Sequence, residues 1–154
     1  QAVKDDFENY IQTEPYKNRV IPTPSDLRYI DLKLLKGDPF NGHHLRTDKN
    51  AIVSMGRLEK IKGFDLGIKA FSKLREDMPC YYWILGQGPE EQNLRNLAKE
   101  LGVAEDIIFL GFQSNPFAFL KNADAFLLPS YSETLPYALI EAMYCQCPCV
   151  VTPL

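Results

Sequence analysis

Five short apolar runs, each separated from the next by a stretch of helical periodicity, constrain this chain more than any other feature. They are Ala51-Ile52-Val53-Ser54-Met55, Tyr81-Tyr82-Trp83-Ile84-Leu85, Ile107-Ile108-Phe109-Leu110, Ala125-Phe126-Leu127-Leu128 and Cys149-Val150-Val151. Each has strand length, and a strand that is apolar along its whole length must be covered on both faces. Between the runs, apolar residues recur with helical spacing: Phe64 through Leu74, Leu94 through Leu101, Phe117 through Leu120, and Leu139 through Met143. Alternating strands and helices joined by right-handed crossovers give a parallel sheet with helices on both faces. The expected fold class is therefore α/β, a doubly wound, Rossmann-like layer. Such sheets bind ligands at the carboxyl ends of their strands, which directs attention to the loops beginning at Gly56, Gly86, Gly111 and Pro129.

Composition narrows the function classes. The 154 residues are 45% hydrophobic and 24% charged, as expected of one globular domain rather than a disordered or collagen-like chain. No apolar stretch approaches the roughly 18 residues needed to cross a bilayer. Acidic side chains outnumber basic ones, 20 to 17, which argues against a nucleic-acid binder that grips phosphate backbone. Residues 1–50 read as an irregular lead-in, with an amphipathic piece from Val3 to Ile11 and a short extended run, Arg19 to Pro22. The Gly/Pro-rich loop from Lys36 to Asn50 carries His43 and His44, expected to be a solvated pair. The domain proper is expected over 51–154. Opening at Gln1 and stopping just after an apolar run, the chain reads as a segment cut at both ends. Three of its four cysteines crowd at Cys145, Cys147 and Cys149. That is neither a secreted disulfide framework nor the usual zinc spacing, and it points to buried thiols in a reducing cytoplasm.

Three loops deserve chemical scrutiny. Gly56-Arg57-Leu58-Glu59-Lys60-Ile61-Lys62-Gly63 is a glycine-bounded loop with three cations, an anion cradle in which Arg57 offers a planar fork of donors and Lys62 a point charge. It lacks the spacing of a Walker A loop. A solvated charged turn paired with Glu59 is the plainer alternative. Gly86-Gln87-Gly88-Pro89-Glu90-Glu91 invites a dinucleotide-binding reading, but Glu91 stands where the third small residue belongs and two acids crowd the helix start, which disfavours NAD. These glycines are expected to make a tight turn with Pro89 at the first helical position. Pro129-Ser130-Tyr131-Ser132-Glu133-Thr134-Leu135-Pro136 leads into a helix that carries Glu141 about two turns on. Two carboxylates then bracket the positive end of a helix and are suited to accept from ribose and sugar hydroxyls.

In combination, Ser54-Met55-Gly56-Arg57-Leu58 with Lys62-Gly63-Phe64-Asp65, Leu85-Gly86-Gln87-Gly88-Pro89, Phe109-Leu110-Gly111-Phe112, Ala123-Asp124, and Pro129 to Glu133 followed by Leu139-Ile140-Glu141-Ala142-Met143 resemble a known family. It is the donor-binding, C-terminal domain of retaining GT-B glycosyltransferases, family 4 (glycosyl transferases group 1), over roughly residues 50 to 152. The resemblance implies a hexosyltransferase of cell-surface polysaccharide or lipopolysaccharide synthesis. It implies that Arg57 and Lys62 hold the diphosphate of a nucleotide-sugar in place of a metal, so that the catalytic set is Arg57, Lys62 and Glu133 and no metal cofactor is used. Glu133, first of an E-x7-E pair, would contact the transferred sugar and Glu141 the ribose. Gly111 and Phe112 would line the base, and Gly56, Ser130, Thr134 and Leu135 would complete the donor site. UDP-sugars are favoured over GDP- or ADP-sugars. A glycan or lipid-linked acceptor and a catalytic histidine would belong to an N-terminal domain outside this chain, so the segment alone is expected to be inactive. The full-length protein would work in the cytoplasm, peripherally at the inner face of the membrane.

Several positions depart from the family pattern. Thr134 replaces a glycine after the first Glu, and Gln146 replaces a glycine at the end of the helix, where a left-handed backbone would cost about 1 kcal/mol. By the same resemblance residues 1–50 hold the tail of the missing N-terminal domain, the interdomain linker, which Ile21-Pro22-Thr23-Pro24 resembles, and the first elements of this domain. The missing C-terminal elements would leave a sheet edge open to association. The competing readings are an epimerase-like or non-catalytic nucleotide-sugar-binding module of the same fold, and an NAD enzyme.

Overall fold

All five apolar runs become strands of one parallel sheet: β1 (Asn50–Met55), β2 (Cys80–Leu85), β3 (Ile107–Gly111), β4 (Ala125–Leu128) and β5 (Cys149–Val151). Their order is β3-β2-β1-β4-β5. The structure, a computed structural model, describes residues 27–35, 45 and 49–153. Among the described residues, five α-helices flank the sheet: α1 (Leu27–Leu34), α2 (Phe64–Asp77), α3 (Glu91–Glu100), α4 (Phe117–Asn122) and α5 (Tyr137–Tyr144). The expected α/β, Rossmann-like class is what the chain adopts.

The alternation along β2 shows why both faces are covered. Tyr81, Trp83 and Leu85 point into one core with Val53, Phe126 and the helices α1, α4 and α5. Cys80, Tyr82 and Ile84 point into the other with α2 and α3, through Ile68, Phe71, Leu94 and Ala98. Every β2 residue is buried, and each large side chain so buried is worth roughly 1.5–3 kcal/mol. The aromatic run of β2 is core, as expected. One buried polar pair joins the central strands: Ser54 Oγ and Tyr82 Oη lie 2.8 Å apart, and Ser54 also donates to the Leu127 carbonyl.

Two expectations need correction. The stretch before residue 50 is not irregular throughout, because α1 forms within it. Only Ile30 of that helix is buried, so its apolar pattern is a poor stripe; tertiary contacts hold it instead. Tyr29 packs edge-on against Phe117 at 6.1 Å, the Asn115 side-chain amide donates to the Lys33 carbonyl at 3.1 Å, and Tyr144 Oη donates to Asp31 at 2.9 Å. Pro89 is not the first helical residue either. It sits in a turn closed by Glu91 N–H on the Gly88 carbonyl at 3.2 Å, and α3 starts at Glu91. Val3 to Ile11, Arg19 to Pro24, His43 and His44 lie outside the described residues.

The glycines after β2 serve lateral contact rather than a turn alone. The β1 and β2 loops run side by side, with Gly56 N–H on the Leu85 carbonyl and Leu58 N–H on the Gln87 carbonyl, both at 3.0 Å. A Cβ on Gly86 would overlap the Gly56 carbonyl, and one on Gly88 would overlap Leu58 backbone. Past α5, Gln146 takes φ +60°, the one positive φ among the described non-glycine residues. Its N–H reaches the Met143 carbonyl at 3.0 Å and the next N–H reaches Ala142, which is a left-handed helix stop built without glycine. Gln146→Gly is therefore expected to stabilise the chain by about 1 kcal/mol in urea unfolding. An unchanged or lower midpoint would refute the strain.

Candidate functional site

The strand order reverses between β1 and β4, and the loops that leave those two strands meet there. The β1 loop ends in a tight turn, Lys60–Lys62, and Gly63 with φ +62° turns the chain into α2. A Cβ at Gly63 would collide with the Pro129 carbonyl, so a glycine is what lets the two loops touch. Tyr131 N–H then donates to the Ile61 carbonyl at 2.9 Å, and Tyr131 Oη donates to Asp65 at 3.0 Å.

This contact carries the functional side chains with it. Lys62 Nζ donates to both Glu133 oxygens at 2.8 Å, across 71 residues of sequence. The Glu133 side chain is 7% exposed and also accepts from Ser130 Oγ at 2.7 Å. Ser130 is itself buried, and its carbonyl accepts from Thr152 Oγ1 at 2.6 Å. Arg57, by contrast, is largely exposed and pairs with Glu59 at 2.8 Å.

Beside these groups lies a cavity of about 610 Å³. Gly56, Arg57 and Lys62 line it from the β1 loop, Gly86 and Gln87 from β2, Phe112 and Gln113 from β3, and Glu133, Leu135, Tyr137, Ala138 and Glu141 from the β4 loop and α5. Seven of the residues singled out in the sequence thus share one wall: Gly56, Arg57, Lys62, Phe112, Glu133, Leu135 and Glu141. Three do not line it. Ser130 stands behind Glu133, Thr134 is exposed on the loop, and the Gly111 carbonyl is taken by Gly86 N–H at 2.7 Å.

Gln87, Gln113 and Tyr137 reach the cavity without having been singled out. Each lies within two residues of a strand end or at a helix start, and that placement was their one signal in the sequence. The Gln113 amide is buried and donates to the Leu110 carbonyl at 2.6 Å, so its geometry is set by the strand.

Electrostatically the wall is divided. Phe112, Leu135, Pro136 and Ala138 make part of it apolar, while Arg57, Lys62, Glu133 and Glu141 line the rest, with Lys62 paired to Glu133. Glu141 is half-buried, and burial alone pushes its carboxyl above the usual carboxylate range. The cysteines stay out of this chemistry. Cys145 and Cys147 are buried, which raises their thiols to about 11, and Cys149 Sγ donates to the Cys147 carbonyl at 3.1 Å. An oriented cation pair beside buried acceptors can bind a phosphorylated ligand bearing hydroxyls. At the start of α3, Glu91 is held by Arg95 at 2.7 Å, which puts a fixed acid where a dinucleotide pyrophosphate would lie.

The family model for glycosyl transferases group 1 matches residues 38–153. The chain belongs to this family. Among group 1 relatives, it is 31% identical over 152 residues to the N-acetylgalactosamine-N,N'-diacetylbacillosaminyl-diphospho-undecaprenol 4-alpha-N-acetylgalactosaminyltransferase of Campylobacter jejuni. The match takes in 97% of this chain and 39% of that protein, so the chain spans about two fifths of the relative's length. Its fold is shared with WaaG, a glycosyltransferase involved in lipopolysaccharide biosynthesis, at a TM-score of 0.71 and 22% identity over 96% of this chain and 41% of that one. It is shared also with the pneumococcal O-GlcNAc transferase GtfA solved with UDP and GlcNAc, at 0.64 and 21% identity over 70% and 22%. These likenesses make the chain a GT-B, group 1 domain. None of its described helices is long and apolar enough to cross a membrane.

The raised Glu141 carboxyl gives a prediction with a definite sign. A group that holds its proton more tightly when folded lends stability below the unfolded carboxylate range and loses it as pH rises through the folded value. Glu141→Gln is therefore expected to melt higher than the parent at pH 7, with the difference vanishing in acid. A variant that melts lower at pH 7 would contradict the burial cost.

Proposed function

We propose that this domain binds the nucleotide-sugar donor of a retaining, family 4 glycosyltransferase. The observation that carries the reading is the meeting of Arg57, Lys62, Glu133 and Glu141 on one cavity wall at the switch point of the sheet. Arg57 and Lys62 grip the donor's diphosphate. They stabilise the charge that grows on it as the glycosidic bond breaks, in the place where other transferases use a metal. Fixed cations aimed at a leaving diphosphate act in the transition state more than in the ground state, which is the condition for accelerating the step. Glu133 accepts from the hydroxyls of the transferred sugar, and Ser130 holds its carboxylate in position. Glu141 accepts from the ribose. Phe112 and the backbone beside it face the base.

The sugar leaves with its anomeric configuration retained, toward a glycan or lipid-linked acceptor bound by a partner domain outside this chain. The diphospho-undecaprenol in the Campylobacter relative's name supports a lipid-linked acceptor, and the lipopolysaccharide role printed for WaaG supports surface-polysaccharide synthesis. UDP in the pneumococcal complex supports a UDP-sugar before GDP- or ADP-sugars. Work at the inner, cytoplasmic face of the membrane fits such an acceptor. An epimerase-like or purely binding role is less well supported, because the E-x7-E pair and the two cations form a single wall.

Calorimetric titration of the chain with UDP, GDP, ADP and NAD tests the reading. We expect a nucleoside diphosphate to bind, NAD not to, and Lys62→Ala to weaken binding roughly tenfold or more, the scale of one lost charge-assisted contact. Preference for NAD, or indifference to Lys62→Ala, would defeat it. Sugar transfer is expected only when the segment is joined to its own N-terminal half.

A further inference from the structure

Both cations that face the cavity already have carboxylate partners. Lys62 Nζ lies 2.8 Å from each Glu133 oxygen, and Arg57 lies 2.8 Å from Glu59. An ammonium has three protons, and Lys62 directs two of them at Glu133. With Glu141 included, the charged side chains of the cavity wall are two cations and two carboxylates, a sum of zero. The charged side chains alone therefore offer a diphosphate no net positive charge, and one that draws Lys62 fully to itself takes it from Glu133.

We propose that Glu133 competes with the donor's diphosphate for Lys62, and that this makes the site favour the intact nucleotide-sugar over the nucleoside diphosphate left after transfer. The inference rests on the cavity being a nucleotide-sugar site. An intact donor carries about two negative charges on its diphosphate, and its sugar supplies hydroxyls to the carboxylate that Lys62 gives up. The spent nucleotide has no such hydroxyls. Its free terminal phosphate, with a second pKa near 6, raises the charge to about three. It thus leaves a carboxylate that is 7% exposed without a cation and closer to more negative charge. Ser130, donating to Oε1 at 2.7 Å, keeps that carboxylate from turning away to solvent. The Lys62–Glu133 pair re-forms as the product leaves, so the same glutamate serves sugar binding and product rejection.

The test is titration of the 154-residue chain with UDP, GDP, ADP and the corresponding glucose nucleotides, for the parent and for Glu133→Gln. Glu133→Gln is expected to bind the free nucleoside diphosphate about three- to fivefold more tightly, the scale of a partly exposed ion pair. It is also expected to lose the parent's preference for the sugar-bearing form. Glu133→Ala is expected to shift the free diphosphate in the same direction, and a thermal melt confirms that both variants are folded. Equal or weaker binding of the free diphosphate by both folded variants would overturn the competition. A Lys62→Ala chain with undiminished affinity would instead overturn the site reading beneath it.

Discussion

The close approach of the β1 and β4 loops is the constraint on which the rest of the site depends. Gly63 has no room for a side chain against the Pro129 carbonyl, and its left-handed backbone would be strained with one. Because that contact exists, Tyr131 N–H can reach Ile61, and the ammonium of residue 62 arrives opposite the carboxylate of residue 133. The same contact brings the loop before α2 and the start of α5 to one crevice. In physical terms the cavity is the gap left where strand order reverses, and the glycine decides how narrow that gap is.

Most of this was legible in the sequence because it depends on local pattern. The five strands were visible as apolar runs, since a strand covered on both faces needs no alternation, and the helices between them showed their own period. Arg57, Lys62 and Glu133 stood out as charged residues in loops that follow strands, and Glu141 as an acid among apolar neighbours on a helix. What escaped has non-local causes. Helix α1 is held by Asn115, Phe117 and Tyr144, residues more than 80 positions away, and of its own residues only Ile30 is fully buried. Ser130 looked like a ligand contact, and nothing short of the side-chain packing reveals that it stands behind Glu133. Gln87 and Gln113 have no charge to announce them. Gly86 and Gly88 were legible as glycines but not for their purpose, because the neighbour they accommodate is another loop rather than their own turn.

Charge at the site is arranged for balance rather than for strength. A wall of uncompensated cations would hold any polyphosphate, including the product of the reaction, and would destabilise the fold through mutual repulsion. Pairing Lys62 with Glu133 removes that repulsion and fixes both side chains without recourse to solvent. The price, on the proposed function, is that a ligand's phosphates would displace an existing partner instead of meeting a vacant one. Arg57 is different. Its side chain is 76% exposed, and its bond to Glu59 is of the surface kind that contributes little and yields easily. The two cations therefore differ in how readily they change partners, and the less exposed one is the one opposite the buried Glu133 carboxylate.

Glu141 shows the same tension between folding and binding in its simplest form. Its neighbours Leu139, Ile140, Ala142 and Met143 are apolar, and burial disfavours its charge without any described cation to offset the cost. A residue selected for stability alone would not be acidic there. An acceptor held half out of water, however, gains more from a hydroxyl donor than one that must first shed a full hydration shell. A pair of vicinal hydroxyls can satisfy both of its oxygens together, and a cation would not distinguish ribose from free phosphate. On the proposed function, a ligand rich in hydroxyls would give the unfavourable environment of Glu141 a physical rationale, linking the cost of its burial to the chemistry of the ligand.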